Sequence, residues 1–180
     1  MNRLLLTILP SLLVLGAVAA CGTDEPAAAP TTTSTASTSA NAPAGPPPAP
    51  EPAVDGQCPY LGSSFVQEAN GQLVRKVRLS ADQPNPACFF YANATEVQLS
   101  VWVFEGEPGA AEAVVDRAAP VSDSNPATEP AGWEGGSLTN DGGAVYAVAK
   151  GGSAVVVTSN QKQTIKAREV VKQVVANLGL

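Results

Sequence analysis

Three cysteines and no histidine bound the chemistry open to this 180-residue chain. Without an imidazole there is no Ser-His-Asp or Cys-His nucleophile, and the usual zinc ligand sets cannot be assembled. Thiols and carboxylates remain. Cys58 and Cys88 lack the close spacing of a Cys-x-x-Cys redox pair and have no histidine to activate a thiolate, so their reading is structural. Residues 82–141 are rich in acids, including Glu105, Glu107, Glu112 and Asp116, against the single basic residue Arg117. Glu112 and Asp116, four apart on a helix, face the same way and are the pair from which carboxylate-based hydrolysis would be built. Most such charge is solvated surface, and a non-enzymatic protein is the leading expectation. Thr139-Asn140-Asp141-Gly142-Gly143 lacks both the later ligands of an EF-hand loop and the Gly-Lys-Ser/Thr of a phosphate loop, and reads as a turn. No cofactor or metal is expected.

Cys21 has a different role. Arg3 gives a positive start, and residues 4–20 are apolar apart from Thr7, Pro10, Ser11 and Gly16, too short and interrupted for a comfortable transmembrane span. Val18-Ala19-Ala20-Cys21 resembles a bacterial lipobox, in which the cysteine takes a diacylglyceryl thioether and becomes the new N-terminus after residues 1–20 are removed. The alternative is an ordinary signal peptide cleaved after Ala20, with Cys21 incidental. Two acyl chains on one residue suffice for stable attachment, at about 0.8 kcal/mol per buried methylene. The expected address is the outer face of the cytoplasmic membrane, anchored without spanning. Once Cys21 is lipidated the odd cysteine count becomes the pair Cys58 and Cys88. Outside the cytoplasm that pair oxidises to a disulfide, closing a loop of about 30 residues with a chain-entropy gain of roughly 3.5 kcal/mol.

These groups need elements to position them. Residues 21–56 are dominated by Ala, Pro, Thr and Ser, with Pro46-Pro47-Pro48 near the end and no aromatic side chain. Such a segment cannot bury enough apolar surface to offset its ordering entropy and reads as a disordered linker; its run of threonines has the composition of an O-glycosylated stalk. Residues 57–180 are long enough for one core. The pattern predicts a short helix at 65–69 capped by Ser63 or Ser64, an edge strand at 74–79, and strands at 87–92 and 97–104. A helix opens at Glu107-Pro108 and stops before Pro120. Strands at 144–149 and 154–158 form a hairpin through Lys150-Gly151-Gly152-Ser153. Both are almost continuously apolar, as strands covered on both faces are. A final helix from about 161 to 178 starts with Asn160 and Gln163 as a capping-box-like pair. The expected fold is α+β, a mainly antiparallel sheet of about five strands with helices packed on it.

Residues 119–143 carry no element in this reading. They hold Pro120, Pro126, Pro130, five glycines, four acids and Trp133, with no basic residue. Irregular segments of this length inside a compact domain are uncommon and tend to be functional or disordered. Trp133 either plugs the edge of the core or lines a lid or partner surface. Trp102 and Phe104 share the strand face opposite Val101 and Val103, and Tyr146 sits on a central strand. If a helix covers them incompletely, the gap is an apolar pocket with a polar tip, suited to an amphiphile. Net charge is −6, and with the external address this disfavours nucleic acid as a partner. A basic run, Arg75-Lys76-Val77-Arg78, reads as solvated.

Cys58-Pro59-Tyr60, Pro86-Ala87-Cys88, Ala118-Ala119-Pro120-Val121, Gly132-Trp133, residues 143–148, residues 154–157 with Ser159-Asn160-Gln161, and Asn177-Leu178-Gly179 together resemble the secreted actinobacterial family of domain of unknown function DUF2020. The resemblance covers essentially the whole globular part. It implies an actinobacterial envelope lipoprotein and supports the Cys58–Cys88 bridge. The family's activity is unknown, so the resemblance assigns no functional residue. The order of elements is also similar to that of PsbP-like lipoproteins of the same bacteria, some of which handle hydrophobic envelope molecules, a similarity of fold alone.

The sequence therefore points to a lipid-anchored envelope module that binds an apolar ligand or a protein partner through the Trp133 segment, with Trp102, Phe104 and Tyr146 as further contacts. The alternatives are a carboxylate-based hydrolase of wall polysaccharide and a structural or regulatory protein–protein adaptor. The anchor has a direct test: Cys21→Ser is expected to move the protein from the membrane fraction to the soluble extracytoplasmic fraction, and a variant that stays with the membrane would refute lipidation as the attachment.

Overall fold

The computed structural model describes residues 45–180. The leader, Cys21 and the threonine run lie outside the described residues. The remainder is α+β: one antiparallel sheet of eight strands in the order β1-β2-β3-β4-β8-β7-β6-β5, with three helices. The strands are β1 (Val54–Asp55), β2 (Lys76–Leu79), β3 (Cys88–Tyr91), β4 (Val97–Glu105), β5 (Asn125–Ala127), β6 (Glu134–Asn140), β7 (Gly143–Lys150) and β8 (Ser153–Ser159). The helices are α1 (Ser63–Asn70), α2 (Pro108–Ala118) and α3 (Thr164–Leu178).

The sheet is covered on both faces at its centre. Along β7, Tyr146 and Val148 join the core under α3, whereas Val145 and Ala147 join the one under α2. On β8, Val155 and Val157 face α3, and Ala154 and Val156 face α2. This period-two split is the reason both strands are apolar along their whole length. The α3 stripe of Ala167, Val170, Val171, Val174 and Val175 is fully enclosed, as helical spacing predicts. On β4 the same alternation places Leu99, Val101 and Val103 under α3 and Trp102 and Phe104 under α2.

The sheet has eight strands, not about five. β5 and β6 take ten of the 25 residues 119–143 that carry no element by pattern, and the segment's glycines hide them. β6 pairs with β7 along its whole length, from Glu134 opposite Ala149 to Asn140 opposite Gly143. A side chain at Gly135 would collide with the Ala147 carbonyl and come within 2.9 Å of Val115 Cγ1 on α2; at Gly136 it would meet Ala119 O at 2.8 Å. Glycine in this strand lets the end of α2 press onto the backbone, a role that composition cannot distinguish from a loop. Pro126 fits within β5 because β5 is an edge strand, where a missing N–H is tolerated.

At the other edge, the linker boundary at 56 moves. Ala53 N–H donates to Leu79 O at 2.8 Å, Gly56 N–H to Val77 O at 3.2 Å, and Val54 and Asp55 pair with Leu79 and Arg78. The predicted edge strand β2 is thus internal, and edge exposure falls on strands of two and three residues, too short to template another chain. Main-chain pairing demands little of side chains, so a low-complexity segment supplies it unannounced.

Two helix starts also differ from expectation. α1 begins after Gly62 without a side-chain cap, and ends at Gly71, whose φ of 75° is the left-handed C-cap geometry. α3 begins at Thr164 after Gln163, with no capping box. Asn160 is instead committed to a buried polar network. A β-bulge lies where Phe90 pairs with Leu99 but Tyr91 with Val97, and leaves Gln98 outside the β3 ladder. Gln98 is fully buried; its carbonyl accepts from Asn160 N–H at 2.9 Å, and its side chain donates to Leu73 O at 2.9 Å. Asn70 donates to Gln98 Oε1 at 3.1 Å and to Asn160 Oδ1 at 3.3 Å, while Ser159 Oγ donates to Asn70 Oδ1 at 2.6 Å. The network joins α1, β4 and β8 with its polar atoms satisfied, as burial requires.

The Cys58–Cys88 disulfide is present, with Cα atoms 5.6 Å apart. It fastens the segment leading into α1 to β3.

Candidate functional site

The four aromatic residues expected to share a site lie on opposite faces of the sheet. Trp133 and Tyr146 belong to the α3 side, Trp102 and Phe104 to the α2 side. They do not converge, because strand parity places Trp102 opposite Val101 and Val103, and the body of the sheet stands between the two pairs.

Trp133 is 2% exposed and sits in the main core, with Lys150 Nζ 6.0 Å from the centre of its ring. Its side chain is a plug and has no free face for a partner. Tyr146 spends its polar tip internally. Its hydroxyl donates to Glu129 O at 3.0 Å and accepts from Glu129 N–H at 3.3 Å, which pins the turn before β6. Burial pushes the Tyr146 phenol above its ordinary pKa, and the nearby Glu129 carboxylate acts in the same direction. Glu129 in turn takes Arg168 at 2.9 Å and Lys172 at 3.7 Å from α3. Trp102 and Phe104 are half-buried and meet edge to face, with centroids 6.3 Å apart. The Arg117 guanidinium lies 5.3 Å from the Trp102 centroid.

A separate concavity, a groove of about 580 Å³, lies between α2, the stretch through β5, the start of β6 and the β7–β8 turn. Its floor is apolar, including Val115, Ala119, Ala127 and Ala149, and its rim carries Glu112, Asp116, Glu134 and Lys150. Val121, 83% exposed, stands at its mouth. The pairing of Glu112 with Asp116 on one side of α2 was readable from their spacing. That Glu134 joins them was not, because it depends on β6 lying beside β7 and on α2 sitting close over Gly135 and Gly136. The segment 119–143 does contribute to a concave site, through Val121, Pro126, Gly132 and Glu134 rather than through Trp133. Three carboxylates and one ammonium over an apolar floor can hold an apolar body that carries positive charge.

Among the described residues, no three His, Cys, Asp or Glu side chains are grouped to hold a metal ion, and no helix is long and apolar enough to cross a membrane.

The buried position of Trp133 has a measurable consequence. Trp133→Ala is expected to lower the free energy of unfolding by about 3–5 kcal/mol, read as a fall in the urea midpoint. A midpoint equal to the parent's would contradict its place in the core.

No curated protein matches the chain significantly. Residues 40–180 match the family described as Domain of unknown function (DUF2020), a span that takes in the whole sheet, all three helices and the groove. On that match the chain belongs to the DUF2020 family.

Proposed function

We propose that this chain is a lipid-anchored, extracytoplasmic lipoprotein of an actinobacterial envelope, and that its domain is a non-enzymatic module binding an apolar, positively charged ligand in the groove beside α2. The carrying observation is the groove itself, about 580 Å³ with an apolar floor and an acidic rim, a volume within the range of small-molecule sites. An amphiphile with a cationic head, or a protein segment presenting an apolar side chain next to lysine or arginine, fits that pattern. The leader motif at Cys21 supports the address, and a PsbP-like arrangement of the domain belongs to the same reading.

A second reading has one observation in its favour. Glu112, Asp116 and Glu134 line the same groove, which is what a carboxylate-based hydrolase of wall polysaccharide requires. None of the three makes a side-chain hydrogen bond or ion pair among the described residues that would orient it, and a general acid–base pair depends on such positioning. Binding is therefore preferred over catalysis.

Native mass spectrometry of the protein purified from an actinobacterial envelope tests both. The expected result is a stoichiometric non-covalent mass that the double variant Glu112→Lys, Asp116→Lys loses, with affinity at least tenfold weaker, about 1.4 kcal/mol. Both side chains are exposed, so the fold should tolerate the change. An adduct retained by that variant would place the ligand outside the groove. Release of reducing ends from wall polysaccharide, abolished by Glu112→Gln or Asp116→Asn, would establish the hydrolase.

A further inference from the structure

We propose that the surface formed by Trp102 and Phe104 of β4 together with Arg117 of α2 is a binding site for a proline-rich strand in the polyproline II conformation, and that its resident ligand is the chain's own Pro46–Pro50 segment. The site is distinct from the acidic groove and does not depend on what that groove binds.

The argument begins with the segment. Gly45-Pro46-Pro47-Pro48-Ala49-Pro50 has φ fixed at each proline, and each residue that precedes a proline is excluded from the helical region. Polyproline II is the conformation left, with three residues per turn and no internal hydrogen bonds, so its carbonyls are free for outside donors. At three residues per turn Pro47 and Pro50 share one edge. Both are half-buried, as is Pro46, while Pro48 and Ala49 are exposed. Pro47-Pro48-Ala49-Pro50 has the P-x-x-P spacing of strands that dock on aromatic-lined grooves.

The receiving surface supplies the two groups that the strand needs. Pro47 and Pro48 form one wall of a cleft of about 310 Å³ whose other walls include Trp102, Phe104 and the 82–85 turn. The Arg117 guanidinium donates to the Pro47 carbonyl and lies over the Trp102 ring at 5.3 Å. One side chain thus answers a free carbonyl and holds the indole in place. Arg117 is the only basic residue between positions 82 and 141; it stands in the last turn of α2, where a cation is favoured, and its side chain is exposed.

Tethering decides occupancy. A short connection gives an effective concentration of about 1 mM, so a free-peptide dissociation constant of about 0.1 mM would keep the site roughly nine-tenths filled by its own segment. A weak site therefore stays closed in the intact chain.

The test uses the full chain carrying Cys21→Ser for solubility, observed through the Trp102 indole resonance, with a synthetic peptide of residues 45–52 as probe. Replacing Pro46, Pro47, Pro48 and Pro50 by glycine vacates the site. The peptide should then shift the Trp102 indole saturably, bind the parent at least fivefold more weakly, and lose binding at least tenfold when Arg117→Ala is added. Arg117→Ala alone, at an exposed position, should move the Trp102 indole and open residues 45–50 to proteolysis. The proposal is overturned if the peptide leaves the vacated site unshifted, if Arg117→Ala has no effect on binding, or if an alanine-only peptide binds equally well.

Discussion

Burial of β7 and β8 on both faces is the constraint from which the rest of the domain follows. Tyr146, Val148, Val155 and Val157 need cover on one side, and Val145, Ala147, Ala154 and Val156 on the other. Apolar side chains on two faces cannot be satisfied by a sheet with one wet side. α3 and α1 supply the first cover and α2 the second, and each must lie close enough to exclude water. That requirement reaches into β6, where Gly135 and Gly136 leave room for the end of α2. It also explains why a groove opens beside α2. An 11-residue helix is too short to roof its face of an eight-stranded sheet, and the uncovered margins become the acidic groove on one side and the Trp102 cleft on the other.

The polar network around Gln98 plays the complementary part. Apolar layers are permissive about register, whereas a buried amide is not, since an unmet hydrogen bond costs about 1–3 kcal/mol. Asn70, Gln98, Ser159 and Asn160 can all be satisfied only when α1, the β4 bulge and the end of β8 are in one arrangement. The disulfide works in the same region, joining the chain before α1 to β3. The half of the domain that holds α1 is thereby tied down by specific bonds, and the half around α2, β5 and β6 chiefly by packing. The acidic groove lies against α2, the Trp102 cleft is walled by β4, the 82–85 turn and the proline segment, and a further concavity of about 400 Å³ lies between α1 and α3.

Surface chemistry divides along the same line. Arg168 and Lys172 of α3 are engaged with Glu129 and Glu169, and Lys166 donates to the Asn70 carbonyl. On the α2 side the carboxylates of the groove stand without such partners among the described residues, and Arg117 turns toward the prolines.

Much of this was legible in the residues. Alternation along 97–104, the double-faced hairpin, the α2 and α3 stripes and the cysteine pair all report local periodicity or simple pairing, and these survive because burial is imposed residue by residue. The sequence by itself determined that residues 57–180 pattern as an α+β domain with its central strands enclosed, that histidine chemistry is closed to it, and that Val18-Ala19-Ala20-Cys21 resembles a lipobox. Tertiary structure alone decided that 125–127 and 134–140 are strands, that Asn160 serves a buried network instead of a helix cap, that Trp133 is core, and that a proline-rich stretch belongs to the domain. In each of these cases the deciding contact joins residues far apart in the chain. A glycine that admits a helix, an asparagine that finds an amide and a proline whose carbonyl finds a guanidinium look locally like a loop, a cap and a linker, because the partner that each one meets is supplied only by the fold.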